Sequence, residues 1–195
     1  MAKQLGFYID VSRCIQCRTC EVACKVTRHV EPGIKWRKVV ETCAGEFPHI
    51  TRSFFSKSCM HCAQPACVAA CPTGAIRKRT EDGIVVVDRE KCNGCRECLS
   101  ACPFDVPQFG ADGIMQKCDF CIESGEGPAC VAPCPAEALH YGTMEDGPPL
   151  TTNKLAVKLG GPTSPSVIIL RHPSVIGDDF SASMPLPDDT GVHSR

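Results

Sequence analysis

Cysteine placement constrains this chain more than any other feature of its sequence. Sixteen of its seventeen cysteines fall into four runs of four. The first run is Cys14, Cys17, Cys20 and Cys24, spaced C-x2-C-x2-C-x3-C. The second is Cys59, Cys62, Cys67 and Cys71, spaced C-x2-C-x4-C-x3-C and followed by Pro72. The third, Cys92, Cys95, Cys98 and Cys102, repeats the first spacing and ends at Pro103. The fourth is Cys118, Cys121, Cys130 and Cys134, spaced C-x2-C-x8-C-x3-C and closed by Pro135.

Disulfides fit this pattern poorly. A secreted disulfide scaffold usually carries an even cysteine count and an export signal. Here the count is odd, and Met1–Tyr8 shows neither an apolar h-region nor a cleavage site. Structural zinc fits no better, since zinc sites pair C-x2-C elements across a loop. The run C-x2-C-x2-C-x3-C-P is instead the bacterial ferredoxin motif, in which three cysteines hold one cubane iron–sulfur cluster and the fourth serves its neighbour. Three thiolates on a tightly coiled loop can face three irons of one cube, with loop N–H groups turned toward its sulfurs. The fourth cysteine is expected on a short helix that the following proline ends. The sixteen cysteines therefore predict four [4Fe-4S] clusters.

The runs also repeat in order. Asp10-Val11-Ser12-Arg13-Cys14 leads into Cys17-Arg18-Thr19-Cys20, and Asp88-Arg89-Glu90-Lys91-Cys92 leads into Cys95-Arg96-Glu97-Cys98. The second and fourth runs share Pro-Ala-Cys-Val-Ala, at 65–69 and 128–132. This A, B, A′, B′ order reads as an internal duplication. Between runs two and three, Ala75–Arg79 and Ile84–Val87 flank an Asp82-Gly83 turn and predict a hairpin.

The expected fold is α+β: two interleaved ferredoxin-like modules with short hairpins and helices, plus an extended C-terminal tail. Residues 1–50 begin module 1, 51–107 form module 2, 108–142 complete module 1, and 143–195 form the tail. The corresponding partition groups Cys14, Cys17, Cys20 with Cys134 (cluster 1) and Cys118, Cys121, Cys130 with Cys24 (cluster 2). Cys59, Cys62, Cys67 join Cys102 (cluster 3), and Cys92, Cys95, Cys98 join Cys71 (cluster 4).

Composition agrees with metal holding the fold. Aromatic residues are 6% of the chain with a single tryptophan, and cysteine supplies a good part of the 43% hydrophobic fraction. A thin apolar core needs help, and metal binding supplies folding free energy directly. The formal net charge of −1 gives no footprint for nucleic acid or an anionic membrane. No apolar run approaches the ~20 residues that span a bilayer. No phosphate-binding glycine loop, catalytic carboxylate pair or open metal site is evident, so a non-catalytic role is expected.

Gly6-Phe7-Tyr8-Ile9-Asp10, Cys67–Ala75, Asp82–Asp88 and Lys117-Cys118-Asp119-Phe120-Cys121 together resemble one family over residues 5–142. It is the iron–sulfur subunit of DMSO-reductase-type molybdopterin oxidoreductases, whose relatives serve dimethyl sulfoxide, polysulfide, thiosulfate, tetrathionate and formate enzymes. The resemblance implies a four-cluster wire between a molybdenum or tungsten pterin catalytic subunit and a membrane quinone-reactive subunit or other redox partner. Certain relatives replace a third-run cysteine with tryptophan; this chain keeps all four. The Cys121-to-Cys130 spacer is short for the family, and no transmembrane helix follows. Location is left between the cytoplasm and carriage to the periplasmic face with a twin-arginine-bearing partner. A free soluble polyferredoxin is the alternative reading.

Several residues carry two readings. Cys43, outside every run, is expected as a small buried hydrophobe. His61 is expected to pack or hydrogen-bond rather than to bind iron, because four cysteines already satisfy its run. Arg13, Arg18, Lys25, Lys91, Arg96 and Lys117 are either solvated cations or charges that offset the clusters. The Pro/Gly-rich tail is either disordered or an arm laid on a partner, with Val167–Leu170 its one β-like stretch.

Overall fold

A computed structural model describes residues 3–44, 46–147 and 155–171. Strand β1 (Leu5–Asp10) leads into the first cysteine run, which ends on helix α1 (Thr19–Thr27). A hairpin of β2 (Lys38–Ala44) and β3 (Thr51–Lys57) leads into the second run and the single turn α2 (Ala66–Ala69). Strands β4 (Ile76–Lys78) and β5 (Val85–Val87) follow, then the third run with α3 (Glu97–Ala101). Strands β6 (Gln108–Phe109) and β7 (Met115–Gln116) lead to the fourth run, and β8 (Leu139–Thr143), β9 (Leu155–Lys158) and β10 (Val167–Arg171) complete the described elements.

The expected hairpin is present. β4 and β5 pair antiparallel, with Ile76 opposite Val87, and Gly83 supplies the left-handed backbone (φ 72°) that the turn requires. β2 and β3 form a longer hairpin that the cysteine spacing does not announce, although Val39-Val40 and Phe54-Phe55 are good strand residues.

β1 lies inside a four-stranded sheet of order β8-β1-β10-β9. Antiparallel pairing sets Phe7 opposite Tyr141, and parallel pairing sets Phe7 opposite Val167. With neighbours on both edges, Phe7, Tyr8 and Ile9 are all buried. The Pro/Gly-rich stretch read as an arm is thus, over 155–171, part of the chain's own sheet. The breakers at 148–149 and 185–187 lie outside the described residues. Among the described residues no helix is long and apolar enough to cross a membrane.

The core is unusual in what fills it. Cys20, Cys24, Cys59, Cys118 and Cys130 share the main cluster with Phe7, Ile9, Phe55, Ile84 and Phe120. A smaller cluster gathers Cys98 with Ile76, Val85 and Met115, with Cys67, Cys71 and Cys92 packed against it. Thiols occupy positions where an ordinary domain would place leucine or isoleucine.

Candidate cluster-binding site

Each run begins with the same backbone device. The residue two places after its first cysteine adopts a left-handed conformation: Gln16 (φ 59°), His61 (φ 42°), Gly94 (φ 73°) and Phe120 (φ 64°). Such a residue within a tight loop turns successive N–H groups to one side and makes a concavity that favours anions. Runs one and three repeat the device at Arg18 (φ 59°) and Arg96 (φ 67°), which start α1 and α3. Cys20 and Cys24 then share a face of α1, four residues apart.

The three Cys-Pro runs also close alike. Gly74, Asp105 and Glu137, each three residues past the last cysteine, have positive φ and donate N–H to the carbonyls of Cys71, Cys102 and Cys134 at 3.3, 3.3 and 3.0 Å. The first run lacks the proline, and its helix continues to Thr27. Proline thus sets where the turn begins, and a left-handed residue reverses the chain behind the fourth thiol.

Backbone amides point at sulfur. Phe120 N–H donates to Cys118 Sγ at 3.4 Å, and Ala138 N–H to Cys134 Sγ at 3.3 Å. Burial raises the thiol of Cys71, but the Thr73 hydroxyl and the N–H groups of Ile76, Ala75 and Thr73 outweigh it, leaving the thiol below its ordinary range. The Thr73 hydroxyl lies 3.6 Å from that sulfur. The Thr19 hydroxyl and N–H likewise lower the Cys17 thiol. At deeper positions burial dominates: it pushes Cys24 and Cys67 up to about 12 and Cys62 and Cys98 up to about 11, and raises buried Cys118. A bare thiol there stays protonated, so loading soft metal must displace protons.

The electrostatic neighbours of these thiols cross between runs. Cys14 feels Cys134 and Cys17; Cys24 feels Cys130 and Cys121. Cys67 feels Cys59, Cys102 and Cys62, while Cys98 feels Cys92, Cys95 and Cys71. All seventeen cysteines are free thiols. Among the described residues no three His, Cys, Asp or Glu side chains converge on a single metal ion. A mononuclear tetrahedral site needs thiolates about 2.3 Å from one atom, whereas a polynuclear cluster spreads its ligands around a cube.

The cations named from sequence divide sharply. Arg13 pairs with Glu137 and Lys91 with Asp88 at exposed positions, and Arg96 lies over the Phe109 ring. Arg18 is exposed, and Lys25 donates to the carbonyls of Glu31 and Ile34. Only Lys117 of these is buried, its Nζ held by the carbonyls of Val85 and Cys118. Sequence reasoning passes over Arg37, Lys57 and Lys78. Arg37 is 2% exposed, and Lys57 is buried with Cys102 among its electrostatic neighbours. Lys78 donates to the carbonyls of Cys62 and Gly83 at 3.0 and 2.9 Å. Asp105 stands near Lys57, and Asp82 with Cys62 near half-buried Lys78. Arg37 lies among thiols, and a buried cation is costly unless negative charge stands nearby. Runs of free thiols, inward amides and buried cations together fit anionic iron–sulfur clusters.

His61 is fully buried, and its Nδ1 accepts the Val85 N–H at 3.1 Å. Cys43 departs from expectation: it sits exposed on β2, donating to Glu41 at 3.4 Å, because its side chain falls on the outer face of the hairpin.

Known proteins share this arrangement of sequence. A family model for a 4Fe-4S dicluster domain matches residues 50–144, and one for a 4Fe-4S binding domain matches residues 11–27. The chain is 43% identical over 158 residues to YnfG of Escherichia coli (strain K12), a probable anaerobic dimethyl sulfoxide reductase subunit, in an alignment covering 75% of this chain and 77% of that one. It is 42% identical over the same length and shares to the B subunit of anaerobic dimethyl sulfoxide reductase from the same organism. To the thiosulfate reductase electron transfer subunit PhsB of Salmonella typhi it is 40% identical over 146 residues, 70% of this chain and 74% of that one. The chain belongs to the family of iron–sulfur subunits represented by the B subunit of anaerobic dimethyl sulfoxide reductase.

Proposed function

We propose that this chain is the non-catalytic electron-transfer subunit of a molybdopterin oxidoreductase complex. It holds four [4Fe-4S] clusters and relays single electrons between a catalytic subunit and a membrane quinone-reactive subunit or other redox partner. The sixteen cysteines serve as ligands in four sets, each a triplet from one run plus the last cysteine of another: Cys14, Cys17, Cys20 with Cys134; Cys118, Cys121, Cys130 with Cys24; Cys59, Cys62, Cys67 with Cys102; and Cys92, Cys95, Cys98 with Cys71.

The observation that carries the reading is that thiols of different runs are electrostatic neighbours, which supports an exchange of fourth cysteines between runs. Cys134 is an electrostatic neighbour of Cys14, Cys24 of Cys121 and Cys130, Cys102 of Cys67, and Cys71 of Cys98. The β1–β8 pairing supports it, since it ties the residues before run one to those after run four. When bound, such clusters supply reversible one-electron chemistry, with potentials set by hydrogen bonds, charge and exposure. The chain's own part is to fix the thiolates, aim N–H groups at sulfur and keep water away. The relatives named as dimethyl sulfoxide and thiosulfate reductase subunits support a reductase partner here. Ile15, Val22 and Val26 are 60–66% exposed around the first run and offer apolar surface to that partner.

Anaerobic affinity purification from the native host tests this reading. The expected result is a large co-purifying subunit containing molybdenum or tungsten, with about sixteen irons and sixteen sulfides on this chain, four per cubane. A lone chain under conditions that preserve weak complexes would favour a free carrier, and about twelve irons would remove one cluster.

A further inference from the structure

Arg37 is the least expected side chain in the core. It is 2% exposed, and among the described residues its guanidinium donates only to neutral oxygens: Nη1 to the carbonyl and hydroxyl of Ser56 at 2.9 and 3.1 Å, and Nη2 to the Ser58 hydroxyl at 3.0 Å. Its Nε has no hydrogen-bond partner among the described residues. It forms no ion pair with a carboxylate among the described residues. Its Cζ stands 4.3 Å from the Phe7 ring centroid, and Phe7 packs on Phe120 of the fourth run at 4.6 Å.

An arginine cannot escape burial by losing its proton. An isolated buried charge costs several kcal/mol even after relaxation, so compensating negative charge must lie close by. The surrounding groups that can carry it are thiols from two runs: Cys20 and Cys24 of the first, Cys118 and Cys130 of the fourth. Ser56 connects the cation to one of them. Its Oγ accepts from Arg37 Nη1 at 3.1 Å and lies 3.3 Å from Cys20 Sγ, leaving the hydroxyl hydrogen free to donate to that sulfur.

We propose that Arg37 is a shared internal counter-ion that raises the reduction potentials of the two clusters held by the first and fourth runs, while Ser56 extends its influence to the Cys20 ligand alone. Adding an electron makes a cluster more negative, and a fixed adjacent cation favours that state. Arg37 is a positioning and tuning residue rather than a ligand. The inference rests on the cluster-binding reading above, but not on which run supplies Cys24, because Arg37 borders both triplets.

Redox titration of the purified, cluster-loaded complex followed by electron paramagnetic resonance tests it, with signals assigned beforehand through single Cys17→Ser and Cys121→Ser variants. Arg37→Gln is expected to lower the potentials of those two clusters, so that the reduced-to-oxidised ratio at fixed potential falls about tenfold, 59 mV for a one-electron couple. The other two clusters should not move. Arg37→Lys keeps the charge and should restore most of the shift. Ser56→Ala should shift the first-run cluster alone. Unmoved potentials in a fully loaded Arg37→Gln complex would overturn the proposal, and so would an equal shift of all four. If Arg37→Gln fails to retain iron, Ser56→Ala decides: a shift confined to the first-run cluster supports the proposal, and no shift overturns it. Failure of the cluster-binding reading is distinct, because it shows earlier as missing iron and sulfide in the unmodified chain.

Discussion

Ser166 donates its backbone N–H to the carbonyl of Met60 at 2.9 Å, tying the end of the described chain to the loop of the second cysteine run. Its hydroxyl also donates to the His61 carbonyl at 3.0 Å, and the carbonyls of Ser164 and Thr163 accept N–H groups from Ala63 and Gln64. The segment before β10 therefore straps the loop that holds Cys59 and Cys62. Beyond it, Val167, Ile169 and Leu170 are 0–1% exposed. Burying each such side chain is worth roughly 1.5–3 kcal/mol, and together they rival the whole net stability of a small domain. Truncation after Gly147 is expected to abolish stable folding and to strip the second-run cluster first. Iron and sulfide analysis with limited proteolysis checks this; full iron on the truncated chain would show the strap to be dispensable.

The partition of ligands makes a second prediction. Cys71→Ser should alter the resonance signal of the cluster held by Cys92, Cys95 and Cys98, and Cys102→Ser that of the cluster held by Cys59, Cys62 and Cys67. Damage confined to the substituted residue's own run would refute the exchange of fourth cysteines.

Two glycines separate backbone strain from steric clash. Gly94 and Gly113 both have φ of 73°, but a Cβ on Gly94 would sit 2.7 Å from the Gly113 carbonyl oxygen, whereas one on Gly113 meets nothing within 4 Å. Gly113→Ala should cost about 1–2 kcal/mol from the left-handed backbone alone. Gly94→Ala must also displace a carbonyl and should lower the thermal midpoint further and loosen the third-run cluster. Equal effects would mean that the loop relaxes freely.

His61 predicts a pH dependence. Burial first, then the cations Lys117, Lys78 and Arg37, hold its imidazole well below the ordinary value of 6.5. The unfolded chain takes up this proton as pH falls through about 6.5 and the folded chain does not, so acid favours unfolding. The contribution to the slope is about 1.4 kcal/mol per pH unit below that value. His61→Gln should flatten the fall in the denaturant midpoint of cluster bleaching between about pH 6 and 5. Parallel profiles for both proteins would contradict a buried neutral ring.

What the sequence reveals here depends on the range of the interactions. The cysteine runs and the hairpin about Asp82-Gly83 are local, and their spacing and turn residues announce them. Val167–Leu170 is recognisable as β-like, but its parallel pairing with β1 leaves no local mark, so its surroundings read as an arm. Arg37 stands in Lys35-Trp36-Arg37-Lys38, three cations in four residues that no cysteine spacing singles out. Only the meeting of β1, the β2–β3 hairpin and the fourth run places one of those three cations inside. Cys43 misleads for a related reason: which face of a hairpin turns outward depends on what packs beneath it.

The pairing of Phe7 with Val167 also imposes a schedule on biosynthesis. As the polypeptide emerges from the ribosome, β1 appears first among the described strands and β10, which seals its parallel edge, appears last. Until then that edge stands open, and the thiols of the second run lie uncovered by the residues that later close over them. Every cysteine of the chain has therefore emerged before the sheet can close, and the second-run loop is strapped only at that last step.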